Sequence, residues 1–204
     1  MKRRYVLAVL AVIPLFALAA GLALERSDAS PGSFRGSTPP RGITLPDFSL
    51  RNASGEIVDA DRLRGKTVLV TFLETKCKEA CPIIANQIGK GLALLTLKQR
   101  GRVVAVAIST HPTDDTATSV RQFLRRHRVE GKLHYLVGSE RELRPVWRAF
   151  HILAALDSGD AETHSAPVRI FSPAGEWVST LHPGIDLTPL NLANDALAAG
   201  EMIR

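Results

Sequence analysis

Lys2, Arg3 and Arg4 are followed by 20 residues, Tyr5 through Leu24, without a charged or strongly polar side chain. At about 1.5 Å of rise per residue, a helix of that length measures about 30 Å, the thickness of a bilayer's hydrocarbon core. Pro14 is costly in a soluble helix but tolerated in a membrane-spanning one. The basic flank stays cytoplasmic and sends the rest of the chain outward. Two fates are open for this segment. Ala17-Leu18-Ala19 has the small-x-small form of a signal peptidase site, whereas the apolar run to Leu24 is longer than a signal needs and suits a retained anchor. Both place the remainder in the periplasm, held to the inner membrane by a single N-terminal anchor or released from it.

Beyond this segment, residues 25–42 are rich in Ser, Pro, Gly and Arg and offer almost nothing to bury, which is the composition of a linker. Residues 43–204 are enough for one well-buried domain. The formal net charge of +6 invites a nucleic-acid reading, but half of it sits in Lys2, Arg3 and Arg4. The densest remaining cluster, Arg121, Arg125, Arg126, His127 and Arg128, reads as the solvated face of a helix. An exported domain with that balance is not expected to bind nucleic acid.

The domain alternates strand and helix patterns. Residues 48–50 and 56–58 flank the turn Asn52-Ala53-Ser54-Gly55, and 68–73 is a β-branched run suited to a central strand. One helix is expected over 83–99, with Ile84, Ile88, Leu92 and Leu95 in a stripe and Gly89 and Gly91 against it. Strand 103–108, helix 119–126, strand 133–137 and helix 140–150 follow. Strands 168–171 and 177–181 surround the turn Ser172-Pro173-Ala174-Gly175, and a last helix covers 188–199. The order predicts an α/β fold: a central mixed sheet with helices on both faces, preceded by the N-terminal anchor.

The chain's two cysteines are Cys77 and Cys81, with three residues between them. They follow strand 68–73 and precede a helix that Pro82 opens. Open α/β sheets bind ligands beyond the carboxyl ends of their strands, so this loop is well placed for chemistry. The helix N-terminus, Lys76 and Lys78 all favour thiolate. A purely stabilising disulfide is a weak explanation, because closing so short a loop removes little unfolded-state entropy. Two functional uses remain. Thiol redox pairs usually have two intervening residues, whereas three let Cys77 lie in the loop and Cys81 in the first helical turn, both facing one ion. Paired thiolates select Cu(I), Zn or Fe–S centres.

A two-sulfur site needs a further ligand. His127 and His134 lie beside charged helix and strand ends, His151 caps a helix, and His182 precedes the turn Pro183-Gly184. His111 follows strand 103–108 at the cysteine edge of the sheet. His164 precedes strand 168–171, and reaches the same edge if that strand is antiparallel. The residues alone do not choose between these two.

From about Leu45 to Leu181 the chain resembles the SCO/SenC family of copper proteins. The resemblance rests on Leu63-Arg64-Gly65-Lys66 leading into a strand, on Cys77-(three residues)-Cys81-Pro82, on the loop 108–116 and on His164-Ser165-Ala166. It implies a thioredoxin-like fold and a copper ion, Cu(I) or Cu(II), held by Cys77, Cys81 and His164. It also implies delivery to the binuclear copper centre of cytochrome c oxidase. The partner would be a copper-accepting oxidase subunit or another copper carrier. This chain departs from the family around its ligands. Glu74-Thr75-Lys76 and Lys78-Glu79 replace an aromatic-Thr-His run and Pro-Asp, His111 stands where Asp is usual, and Thr163 stands where Asp usually precedes the histidine. His111 is thereby an auxiliary ligand candidate. The leading expectation is a metallochaperone rather than a turnover enzyme. Its rival is an exported thiol–disulfide oxidoreductase using Cys77 and Cys81 as a redox-active pair, and a peroxide reductase of the same fold is a weaker third.

Overall fold

A computed structural model describes residues 33–152 and 167–202. The apolar N-terminal segment and His164 lie outside the described residues. Among the described residues no helix is long and apolar enough to cross a membrane.

Seven strands form one mixed sheet in the order β2-β1-β5-β4-β3-β6-β7. They are β1 (Ser49–Asn52), β2 (Ile57–Asp59), β3 (Thr67–Leu73), β4 (Val103–Ser109), β5 (Leu133–Val137), β6 (Val168–Phe171) and β7 (Trp177–Leu181). β3, β4 and β5 are parallel, while β1 and β6 flank them antiparallel. All seven residues of β3 are buried, as expected of a central strand covered on both faces. Leu69 and Leu73 face one core, and Val68, Val70 and Phe72 face the other.

The first core is closed by helices α1 (Ala80–Leu94), α3 (Ala117–Arg126) and α5 (Pro189–Gly200), the second by α4 (Glu140–Ala149). The expected stripe of Ile84, Ile88, Leu92 and Leu95 is buried. The helix expected over 83–99 is instead two. Leu95 turns extended, and Thr96 caps a short α2 (Leu97–Arg100) through a capping box with Gln99. Thr96 satisfies its own backbone at a new N-terminus more cheaply than inside a helix. Gly89 and Gly91, which argued against a helix here, are close-approach positions. A Cβ on Gly89 would stand 2.7 Å from Val129 Cγ1, and one on Gly91 would stand 2.6 Å from Leu192 Cδ2.

Part of the expected linker belongs to the packed domain. Ser37 pairs with Thr180 and Thr44 with Glu176 beside β7, and Phe34 packs against the first core. The Arg35 and Gly36 amides donate to the fully buried Asp195 carboxylate at 2.7 and 3.0 Å. Composition misled here because what holds residues 33–37 is backbone hydrogen bonding, which a count of apolar side chains does not register. The strap also covers β7, which would otherwise be an open sheet edge.

Candidate metal centre at the carboxyl edge of the sheet

β3 ends at Leu73, and the cysteine loop leads from there into α1. Cys77 lies in the loop, half-buried, and Cys81 is the second residue of α1, 3% exposed. Both are free thiols. The Cys81 amide donates to Cys77 Sγ at 3.3 Å, so the helix N-terminus points a backbone dipole at the Cys77 sulfur. Pro82 follows as the third residue of the helix, not its opener.

Electrostatics around Cys81 run opposite to the sequence expectation. Burial pushes its thiol up strongly, and the hydrogen bond with Cys77 adds to this, while a hydrogen bond from the Glu74 backbone opposes it. Desolvation outweighs the helix terminus. Of the two lysines expected to favour thiolate, Lys76 is otherwise engaged, its Nζ lying 2.6 Å from Asp114 Oδ1. That ammonium holds the Asp114 carboxyl below its usual range.

The loop is fastened from beneath by a residue that the sequence did not single out. Asp115, 3% exposed, accepts from the Thr75 amide at 2.8 Å, the Ser109 hydroxyl at 2.7 Å and the Tyr135 hydroxyl at 2.9 Å. One carboxylate thus ties the cysteine loop to β4 and β5. Burial and the Asp115 charge push Tyr135 well above its ordinary value, which keeps its hydroxyl a donor. Trp147 Nε1 closes the layer below with a 2.9 Å bond to the Ser109 carbonyl. The available signal was an acidic residue after a central strand, and nothing in its spacing distinguishes it from the partly buried Asp114 beside it.

The histidines separate clearly. His111 is about half exposed, with Nδ1 3.0 Å from Asp114 Oδ2 and 3.2 Å from Thr113 Oγ1. It lines a cleft of about 460 Å³ with Thr110, Ser139, Arg144 and Trp147. Among the described residues no three His, Cys, Asp or Glu side chains stand close enough to hold a metal ion, so His111 is not gathered with the cysteines. His151 occupies a left-handed position (φ 57°) just after α4, closing the helix as its capping role requires. His127 packs on the Phe123 ring at 4.5 Å instead of lying free on the surface. His134 is exposed on β5, and the His182 amide is bonded to Asp186. β6 is antiparallel to β3, pairing Val70 with Arg169 and Val68 with Phe171. The chain therefore enters β6 at the edge where β3 ends, four residues after His164.

The SCO1/SenC family model matches residues 37–195. An SCO2-like protein of Rickettsia conorii is 29% identical over 149 residues, covering 70% of each chain. Among solved structures, BsSco, described as a Sco-family cytochrome c oxidase assembly protein with a disulfide switch, superposes with a TM-score of 0.66 at 20% identity, covering 81% of this chain and 98% of its own. Copper-bound ScoI of Arabidopsis thaliana superposes with a TM-score of 0.60 at 23% identity, covering 77% and 98%. The fold is thus the thioredoxin-like one of the Sco proteins, as the resemblance implied. With the family match spanning most of its length and both cysteines at the edge where this fold binds ligands, the chain belongs to the SCO1/SenC family.

Proposed function

We propose that this protein carries copper as cargo for cytochrome c oxidase assembly, taking the ion between Cys77, Cys81 and His164 and passing it to an oxidase subunit or another copper carrier. The observation that carries the reading is the juxtaposition of Cys77 and Cys81 on a loop fastened by Asp115. The copper-bound ScoI relative and the oxidase-assembly role given for BsSco support it. The antiparallel entry into β6 supports His164, since it returns the chain to the cysteine edge. Two sulfurs and an imidazole form a donor set suited to copper. The thiols lose their protons on binding, so uptake is favoured by rising pH and requires both sulfurs reduced. Burial of Cys81 carries that dependence to higher pH, because its raised thiol keeps its proton in the metal-free protein. The segment Tyr5–Leu24 holds the domain on the periplasmic side, which protease treatment of spheroplasts tests: the domain is digested and the cytoplasmic tail protected.

A second reading has its own observation. Cys77 is accessible and Cys81 is buried behind it, the arrangement of an attacking and a resolving thiol in a disulfide reductase. His164→Ala separates the two. A copper carrier with this substitution fails to restore oxidase activity to a deletion strain at limiting copper, yet keeps most of its reactivity toward a small disulfide. Normal oxidase assembly by His164→Ala would replace delivery with thiol reduction.

A further inference from the structure

The outward side of the α1–α5 helix layer is apolar with a lysine rim, and we infer that it rests on the lipid surface to which the chain is tethered. The inference relies on the Tyr5–Leu24 anchor proposed above. Leu94, Leu97, Ile185 and Leu190 are 53, 79, 82 and 73% exposed. Leu94 and Leu190 stand on neighbouring helices because α1 and α5 touch, with Leu97 three residues after Leu94 and Ile185 five before Leu190. A Cβ on Gly91 would stand 3.1 Å from the Pro189 carbonyl, so Leu94 lies one turn beyond this contact and Leu190 immediately after it. A surface helix ordinarily turns charged residues outward. α5 has one charged side chain, Asp195, and it points inward, fully buried.

Two observations select lipid as the occupant. The first is where the tether joins. Asn194 Nδ2 donates to the Ser33 carbonyl at 3.0 Å, and Asn194 is one helical turn from Leu190. Eight residues lie between Leu24 and Ser33, and their nine Cα-to-Cα steps reach about 30 Å at full extension. The point where the chain enters the domain therefore cannot leave the neighbourhood of the bilayer, and it lies on the face that carries the apolar side chains. The second is charge. α1 and α2 contain no acidic residue, while Lys90 and Lys98 are exposed beside Leu94 and Leu97. Apolar side chains flanked by lysines suit the boundary between acyl chains and anionic headgroups.

The test uses the full-length protein reconstituted into vesicles of phosphatidylcholine and phosphatidylglycerol, with and without brominated acyl chains. Leu190→Trp and Leu97→Trp report on this face, and Arg148→Trp on α4 reports on the opposite face; the native Trp147 and Trp177 signals are subtracted. We expect bromine to quench the 190 and 97 reporters about twofold and to leave the 148 reporter unchanged. Equal quenching at all three positions, or none at 190 and 97 in protein that floats with the vesicles, overturns the inference. Blue-shifted but unquenched emission at 190 also overturns it, assigning the face to a protein such as a second copy. Protein that stays at the bottom of the flotation gradient removes the anchor reading and this inference together.

Discussion

Replacing Asp115 by Ala would remove the shared acceptor of three buried or half-buried donors: the Thr75 amide and the Ser109 and Tyr135 hydroxyls. Each buried donor left unpaired costs about 1–3 kcal/mol. The hydroxyls can rotate toward other acceptors and the amide cannot, so the expected loss is about 3–5 kcal/mol, a large fraction of a domain's stability. Asp115→Asn keeps the volume and one acceptor oxygen but turns an NH₂ group toward a donor, so it should lose roughly half as much. Urea unfolding measures both, and the Ala variant should lower the midpoint by about 2 M at an unchanged slope. Hydrogen exchange adds the local readout: the Thr75 amide should lose protection in the Ala variant, whereas Asn still offers it an oxygen, and Cys77 should alkylate faster as its loop loosens. An Ala variant that loses less than about 1 kcal/mol, or a Thr75 amide that stays protected in it, would refute the view that this carboxylate fastens the cysteine loop.

Three further outcomes are expected. Gly91→Ala places a methyl 2.6 Å from Leu192 Cδ2; overpacking of about 1–3 kcal/mol should outweigh the helix-propensity gain of about 1 kcal/mol and lower the thermal midpoint. Burial on the Phe123 ring, helped by the Arg126 charge, lowers the His127 pKa below its ordinary 6.5. The unfolded chain then binds the proton more readily, so stability should decline as pH falls from about 6.5 through the folded value, and a two-dimensional NMR titration should give His127 a midpoint below 6.5. Gly36→Ala would put a Cβ 2.4 Å from the Thr180 carbonyl; it should release the strap and raise exchange of the 35–37 amides, while leaving the β3 and β4 amides protected.

The fold was legible because its cues are local and repeated. The β-branched run of β3, the 3.6-residue stripe of α1 and the Ser172–Gly175 turn each act within a few residues, and the strands at 133–137, 168–171 and 177–181 match residue for residue. The Cys77–Cys81 loop was legible for the same reason, since a strand end and a helix start place it at the sheet edge. What escaped depends on contacts between distant residues. Asp195 meets Arg35 across 160 positions, so the strap looked like a linker. Asp115 meets Thr75 across 40 and Tyr135 across 20, so it looked like any loop acid. The Cys81 environment was misjudged because helix position is visible in a sequence and burial depth is not: the terminus favours thiolate, but the surrounding core wins. The two glycines of α1 were counted as a propensity cost, whereas they make room for Val129 and Leu192.

The proposed site is a copper ion held by Cys77, Cys81 and His164. Copper K-edge X-ray absorption on the reduced, copper-loaded full-length protein, with elemental analysis, addresses it directly. One copper per chain is expected, with two sulfur neighbours and one imidazole nitrogen. Cys77→Ser or Cys81→Ser should abolish tight loading, and His164→Ala should keep both sulfurs while losing the nitrogen. Copper without sulfur neighbours in the native protein would overturn this ligand set, and so would an imidazole signal that survives His164→Ala and disappears in His111→Ala.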